Sequence, residues 1–178
     1  MNILLSGGCK NGKSSIAERL TVRLAGDGPR YYVATMIPHD EEDRARIRRH
    51  VSERCGLGFE TLERGLDIGG CADGRENGTF LLDSVTALLS NEMFPPTGEP
   101  DFDAPQRVAE GLRRFAAAAG NAIFVSDYIF GDAERYDDLT EVYRRGLALL
   151  DRTLAALSDT VLEVCAGNPI LHKGGLPR

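Results

Sequence analysis

Eight residues near the start of the chain, Gly7, Gly8, Cys9, Lys10, Asn11, Gly12, Lys13 and Ser14, have the types and spacing of a phosphate-cradling loop. Each type has a physical task. The glycines let the backbone wrap closely with its N–H groups pointing inward. A helix that starts near Lys13 aims its positive dipole end at the same anion. Lys13 then reaches the β- and γ-phosphates, and the Ser14 hydroxyl is placed to ligate Mg²⁺. Context supports the motif, because an apolar strand-like run precedes it and a patterned helix follows. A metal held this way needs a second anchor, usually an aspartate ending a buried strand. Asp83, after Phe80, Leu81 and Leu82, has that form, and Asp127, after Phe124, Val125 and Ser126, competes with it. Asp83 is favoured, since Ser84 can cap the following helix by itself.

A second cluster lies further on. Arg46, His50 and Arg54 fall at i, i+4 and i+8, so they share one helix face. An imidazole between two guanidiniums is a place for a phosphate, and the ring could attack one as a nucleophile. The spacing fits equally a solvated face carrying an incidental histidine. The surrounding segment is acidic first and basic later, which suits the helix dipole, and Asp40–Arg44 and Glu42–Arg46 are favourable i,i+4 pairs. Its only apolar residues are Ala45, Ile47 and Val51, so this helix should stand partly away from the core. His39 and His172 are read as surface residues.

The elements that must position these residues follow from periodicity. Strand-like apolar runs cover 3–5, 31–34, 79–82, 122–126 and 161–165. Helical patterns cover the Ile16, Leu20 and Leu24 stripe, then 40–55, 84–93, 103–119 and 137–157. Alternation of near-continuous apolar strands with helices predicts an α/β fold with a parallel sheet covered on both faces. Segments 68–78, 95–101 and 127–136 read as loops, and the tail 167–178, rich in glycine and proline, as loosely ordered. The 178 residues fit one domain. A net charge of −6 argues against a nucleic-acid partner, so phosphate binding must come from local groups. No apolar run has the length of a membrane span, and no leader pattern is evident. The four cysteines, Cys9, Cys55, Cys71 and Cys165, lack the spacing of a zinc site or a disulfide framework, which fits a cytoplasmic protein.

Taken in order, the residues resemble a known family. The loop Gly7 to Ser14 is followed by Tyr32-Val33-Ala34-Thr35, then by Ala45-Arg46-Ile47, His50 and Arg54, then by Phe59-Glu60-Thr61-Leu62-Glu63. Phe80 to Asp83, Leu88 to Asn91, and Arg144, Gly146, Leu154, Ala155, Asp159, Val161, Val164, Ala166 and Gly167 continue the match. The pattern is similar to the bifunctional adenosylcobinamide kinase/adenosylcobinamide-phosphate guanylyltransferase family of cobalamin synthesis, over nearly the whole chain. The resemblance implies a RecA-like P-loop fold with three layers and a homotrimer. It implies phosphorylation of a cobinamide hydroxyl by GTP or ATP with Mg²⁺, then transfer of GMP through a guanylylated histidine, which by motif position is His50. It also implies nucleotide contacts at Ala34, Thr35, Met36, Val51, Ser52, Glu53, Arg54, Glu63 and Asp83. Two places depart from the family. Ser126-Asp127 and a loop through Tyr128, Phe130 and Gly131 stand where the family carries Asn-Glu and a Gly-rich, Pro-ended loop, and Asp151 stands where an Asn is expected. The residues leave open a small-molecule kinase with the first activity alone, or a non-catalytic nucleotide-binding protein. No Asn-Lys-x-Asp guanine-reading element is present. The oligomer is open to test: light scattering at micromolar concentration should return the mass of three chains, and a stable monomer would contradict the implied assembly.

Overall fold

The computed structural model describes residues 1–38 and 40–177, with the side chains of Arg46 and Glu53 left out. His39 therefore lies outside the described residues. The strands are β1 (Asn2–Gly7), β2 (Arg30–Ala34), β3 (Phe59–Glu63), β4 (Thr79–Asp83), β5 (Asn121–Asp127), β6 (Thr160–Cys165) and β7 (Asn168–Lys173). The α-helices are α1 (Lys13–Ala25), α2 (Glu41–Glu53), α3 (Val85–Met93), α4 (Ala104–Ala118) and α5 (Asp138–Leu157). All these strands form one sheet in the order β3-β2-β4-β5-β1-β6-β7, parallel except for the β6–β7 pair.

The expected two-faced burial is realised by strict alternation along the strands. Ile3, Leu5, Ile123, Val125 and Leu162 face α1, where Ile16, Ala17 and Leu20 close one core. Leu4, Phe80, Leu82 and Phe124 point to the opposite face and meet α3, α4 and α5. α4 places Val108, Leu112 and Phe115 on one stripe, and α5 adds Leu147, Leu150 and Leu154. Phe115 stands edge-on to both Phe80 (5.4 Å) and Phe124 (6.0 Å), a geometry that matches ring edges to ring faces.

Three expectations change. Residues 168–173 of the supposed loose tail form β7, because Asn168 to Lys173 pair antiparallel with β6. The supposed loop 68–78 begins with a 3₁₀ turn, Ile68–Gly70, whose Ile68 is buried with Cys71 and Ala72 against the α4 core. Phe59–Glu63, noted only as a motif, is a strand on the open edge beside β2.

Helix α2 behaves as its thin apolar stripe requires. None of its described side chains is buried, and Val51 is 51% exposed. Its ion pairs differ from the expected ones. Asp40 caps the helix by accepting the Asp43 N–H (2.8 Å), and Arg44 and Arg48 both pair with Glu41. A cap satisfies an orphan backbone donor, which an exposed ion pair does not, so the short carboxylate goes to the helix end.

The aromatic junction between sheet and α4 should dominate stability. Truncating Phe115→Ala leaves a cavity among fully buried neighbours and is expected to cost about 3–5 kcal/mol in chemical denaturation.

Candidate functional site

The site lies at the C-terminal ends of β1, β2, β4 and β5. The loop after β1 turns on Gly7, whose φ of 154° and contact with the Val164 carbonyl leave no room for a Cβ. Asn11 ties the loop to the same strand by donating to Val164 O. Lys13 is the loop's internal brace. Its ammonium donates to Gly7 O (3.0 Å), Gly8 O (2.7 Å) and Asp127 Oδ1 (2.8 Å), which occupies all three protons. The side chain is 5% exposed, although sequence reasoning placed it outside the core.

The sheet register explains the choice of aspartate. β1 pairs directly with β5, and Gly7 lies opposite Asp127, so that carboxylate faces the lysine. Asp83 ends β4, one strand further out, and instead accepts a hydrogen bond from the Tyr32 hydroxyl (3.1 Å). Asp83, Asp127 and Ser14 nonetheless line one cavity of about 320 Å³ with Lys10 and Lys13. The Asp127 N–H is fixed by the Thr86 hydroxyl (2.9 Å) on α3.

A second cavity, about 460 Å³, lies beside the first. Of the residues implied by resemblance, Ala34, Met36, Val51, Arg54, Glu63 and Asp83 line it. Thr35 is buried and clamps the ends of β2 and β4, donating to Ser84 O (2.8 Å) and accepting the Ser84 N–H (2.7 Å). Ser52 points away, its hydroxyl bonded to Arg49 O (2.7 Å). The side chains of Glu53 and Arg46 lie outside the described residues. Ser14, Met36, His50, Asp83 and Ser84 line both cavities, so His50 stands at their shared boundary. Arg54 does not flank the histidine in solvent. It is buried, with its guanidinium 3.4 Å from the centroid of the Tyr32 ring. Its Nη1 has no hydrogen-bond partner among the described residues, which leaves a buried cationic donor beside the cavity. His172 is exposed and pairs with Glu163 (2.8 Å).

Sequence reasoning missed Tyr32 as a site residue. Burial, and then the neighbouring Asp83 carboxylate, push its phenol far above the ordinary tyrosine range, so it acts as a neutral donor and a stacking face. The signal was available only in part. Tyr32 stood in the quoted motif, but no spacing rule ties it to Arg54 or Asp83.

Asp151 lies on α5 below the loop. Burial raises its pKa to about 6; hydroxyls of Ser126 and Ser6 offset this in part, and the Asp127 charge adds to the rise. Ser6 Oγ lies 3.4 Å from its Oδ2, while Oδ1 has no partner among the described residues.

Among known proteins, the family model for cobinamide kinase / cobinamide phosphate guanyltransferase (CobU) matches residues 3–171. The bifunctional adenosylcobalamin biosynthesis protein CobU of Salmonella typhimurium (strain LT2) is 29% identical over 180 residues, covering 94% of this chain and 97% of that protein. The protein of the same name from Escherichia coli (strain K12) is 38% identical over 106 residues, covering 58% of this chain and 56% of its own length. Among solved structures, a helicase ATPase domain superposes with a TM-score of 0.58 at 10% identity, covering 97% of this chain and 76% of that one. That likeness bears on the fold, a P-loop NTPase sheet. No described helix is long and apolar enough to cross a membrane.

Asp151 supplies a pH test. Its folded pKa lies above the ordinary aspartate value of 3.8, so its contribution to stability is fully present below that value and is lost as pH rises through about 6. Asp151→Asn, which keeps the shape without the charge, should gain on the order of 1–3 kcal/mol over wild type at pH 8 and almost nothing at pH 4. Equal gains at both pH values, measured by urea denaturation, would rule out a buried ionisation.

Proposed function

The chain belongs to the cobinamide kinase / cobinamide phosphate guanyltransferase family, and on that premise we propose that it phosphorylates the side-chain hydroxyl of adenosylcobinamide and then joins GMP to that phosphate through His50. The observation that carries this reading is the position of His50 on the boundary between the phosphate-loop cavity and the larger cavity beside it. A kinase needs only the first cavity. A nucleophile on the wall between the two is what a second reaction at the α-phosphate requires.

In the first reaction the loop N–H groups and the start of α1 hold the phosphates of GTP or ATP. Lys13 exchanges its bonds to Gly7 O and Gly8 O for β- and γ-phosphate oxygens. It moves little, because Asp127 keeps the ammonium in place. The oxygen donors Ser14 and Asp83 face this cavity and form a hard, all-oxygen set that fits Mg²⁺. When bound, the ion neutralises charge on the β- and γ-phosphates. The acceptor hydroxyl oxygen forms a bond to the γ-phosphorus as the bond to the nucleoside diphosphate breaks.

In the second reaction a His50 ring nitrogen forms a P–N bond to the α-phosphorus of GTP, and pyrophosphate leaves. The cobinamide phosphate oxygen then attacks the same phosphorus and the P–N bond breaks, which frees the histidine. Arg54 supplies a buried cation to the phosphate, and Tyr32 holds that guanidinium from below. The cavity lined by Ala34, Met36, Val51 and Glu63 takes the base and sugar.

The two chemistries should separate by mutation. Lys13→Ala should lower both by at least about a hundredfold, the scale of one lost electrostatic group. His50→Ala should abolish GMP transfer while cobinamide phosphorylation persists at a reduced rate. Parallel loss or parallel retention of the two activities in His50→Ala would refute the nucleophile assignment.

A further inference from the structure

The connection between β5 and α5 departs from the family pattern, and it carries three aromatic rings, Tyr128, Phe130 and Tyr136. Its anchors are unusually complete. The buried Arg144 guanidinium donates to Ile129 O (3.2 Å), Glu134 O (3.3 Å), Asp132 Oδ1 (2.8 Å) and Glu141 Oε1 (2.7 Å). The same guanidinium lies 4.8 Å from the Tyr136 ring centroid, and the Tyr136 hydroxyl donates to Asp132 Oδ2 (3.0 Å). At the other end the Tyr128 N–H donates to Gly7 O (2.9 Å), the carbonyl that also holds Lys13.

Within this braced loop the Tyr128 ring is fixed yet 52% exposed. It packs edge-on to Phe130, with centroids 4.7 Å apart, and covers Gly131 so closely that a Cβ there would strike the ring. An aromatic face held on two sides and left open on the third loses little entropy when something settles on it. Next to it is a polar cavity of about 580 Å³, lined by Asp132, Arg135, Asp138, Glu141 and Arg145 among others.

We propose that Tyr128, backed by Phe130 and Gly131, is the platform for the apolar body of the acceptor, and that the adjoining polar cavity takes the acceptor's amide side chains. The inference rests on the corrinoid reading above and goes beyond it by assigning the acceptor site to this chain's own loop. Transfer requires the acceptor hydroxyl to reach the γ-phosphate beside Lys13. That hydroxyl sits on a short arm of a macrocycle too wide for the 320 Å³ cavity, so the ring stays at the mouth. Tyr128 follows Asp127, the residue that holds Lys13, and so stands at that mouth. A conjugated ring with an amide-bearing rim matches an aromatic face beside hydrogen-bonding walls.

Equilibrium dialysis of adenosylcobinamide, followed by its visible absorbance, tests this. Tyr128→Ala should weaken cobinamide binding about tenfold or more, as for a truncated aromatic anchor. Tyr128→Phe, which keeps the face, should stay within about twofold of wild type, and GTP affinity should not change in either variant. Wild-type cobinamide affinity in Tyr128→Ala would overturn the platform. So would an equal loss of GTP affinity, which would mark the ring as a support for the loop. A wild-type protein that binds GTP but no cobinamide would sink the corrinoid reading itself, and the platform with it.

Discussion

The arrangement depends on one buried ammonium. Lys13 must sit within reach of phosphates, and a lysine taken from water needs every proton matched. Gly7 O, Gly8 O and Asp127 match them. That requirement fixes several other features. β5 must neighbour β1 so that Asp127 stands opposite Gly7. Gly7 must lack a side chain so that its carbonyl can turn inward while the backbone passes Val164. Thr86 must present its hydroxyl to the Asp127 N–H, which places the start of α3 beside the loop. The sheet order and the helix positions serve this small set of contacts.

A second group of contacts carries the other half of the site. α2 has little apolar surface with which to bind the core, and it is secured near its end by Arg54 lying on Tyr32. Tyr32 in turn holds Asp83 through its hydroxyl. One tyrosine on β2 therefore links the helix that bears His50 to a candidate metal-binding carboxylate on β4. This coupling gives the two cavities a common wall and lets a single residue, His50, face both.

How much of this was legible in the sequence follows from the range of each signal. The phosphate loop was legible because its chemistry is local: eight consecutive residues specify the turn, the dipole and the cation. The parallel sheet was legible because buried strands read as continuous apolar runs. β7 was not, since all its residues are exposed and its order comes from pairing with β6 rather than from an apolar face. The partner of Lys13 was only half legible. Asp83 and Asp127 end similar strands, and strand order, which is a long-range property, decides which of them meets the lysine. Tyr32 lay within a quoted motif, yet its role depends on Arg54 and Asp83, 22 and 51 positions away in the chain. The departures at Ser126 and Asp151 were visible as single residues, and only the structure brings them together beneath the loop.

The central claim is that one site attacks GTP at two different phosphorus atoms, with His50 the nucleophile at the α-position. The direct measurement is to incubate the wild-type protein with Mg²⁺ and GTP labelled in turn at the α- and γ-phosphorus, and then to map labelled peptides under basic conditions, where a P–N bond to histidine survives. The account predicts α-label, and no γ-label, on the peptide containing His50. An unlabelled protein under conditions where GTP binds, or α-label on any other residue, would contradict it.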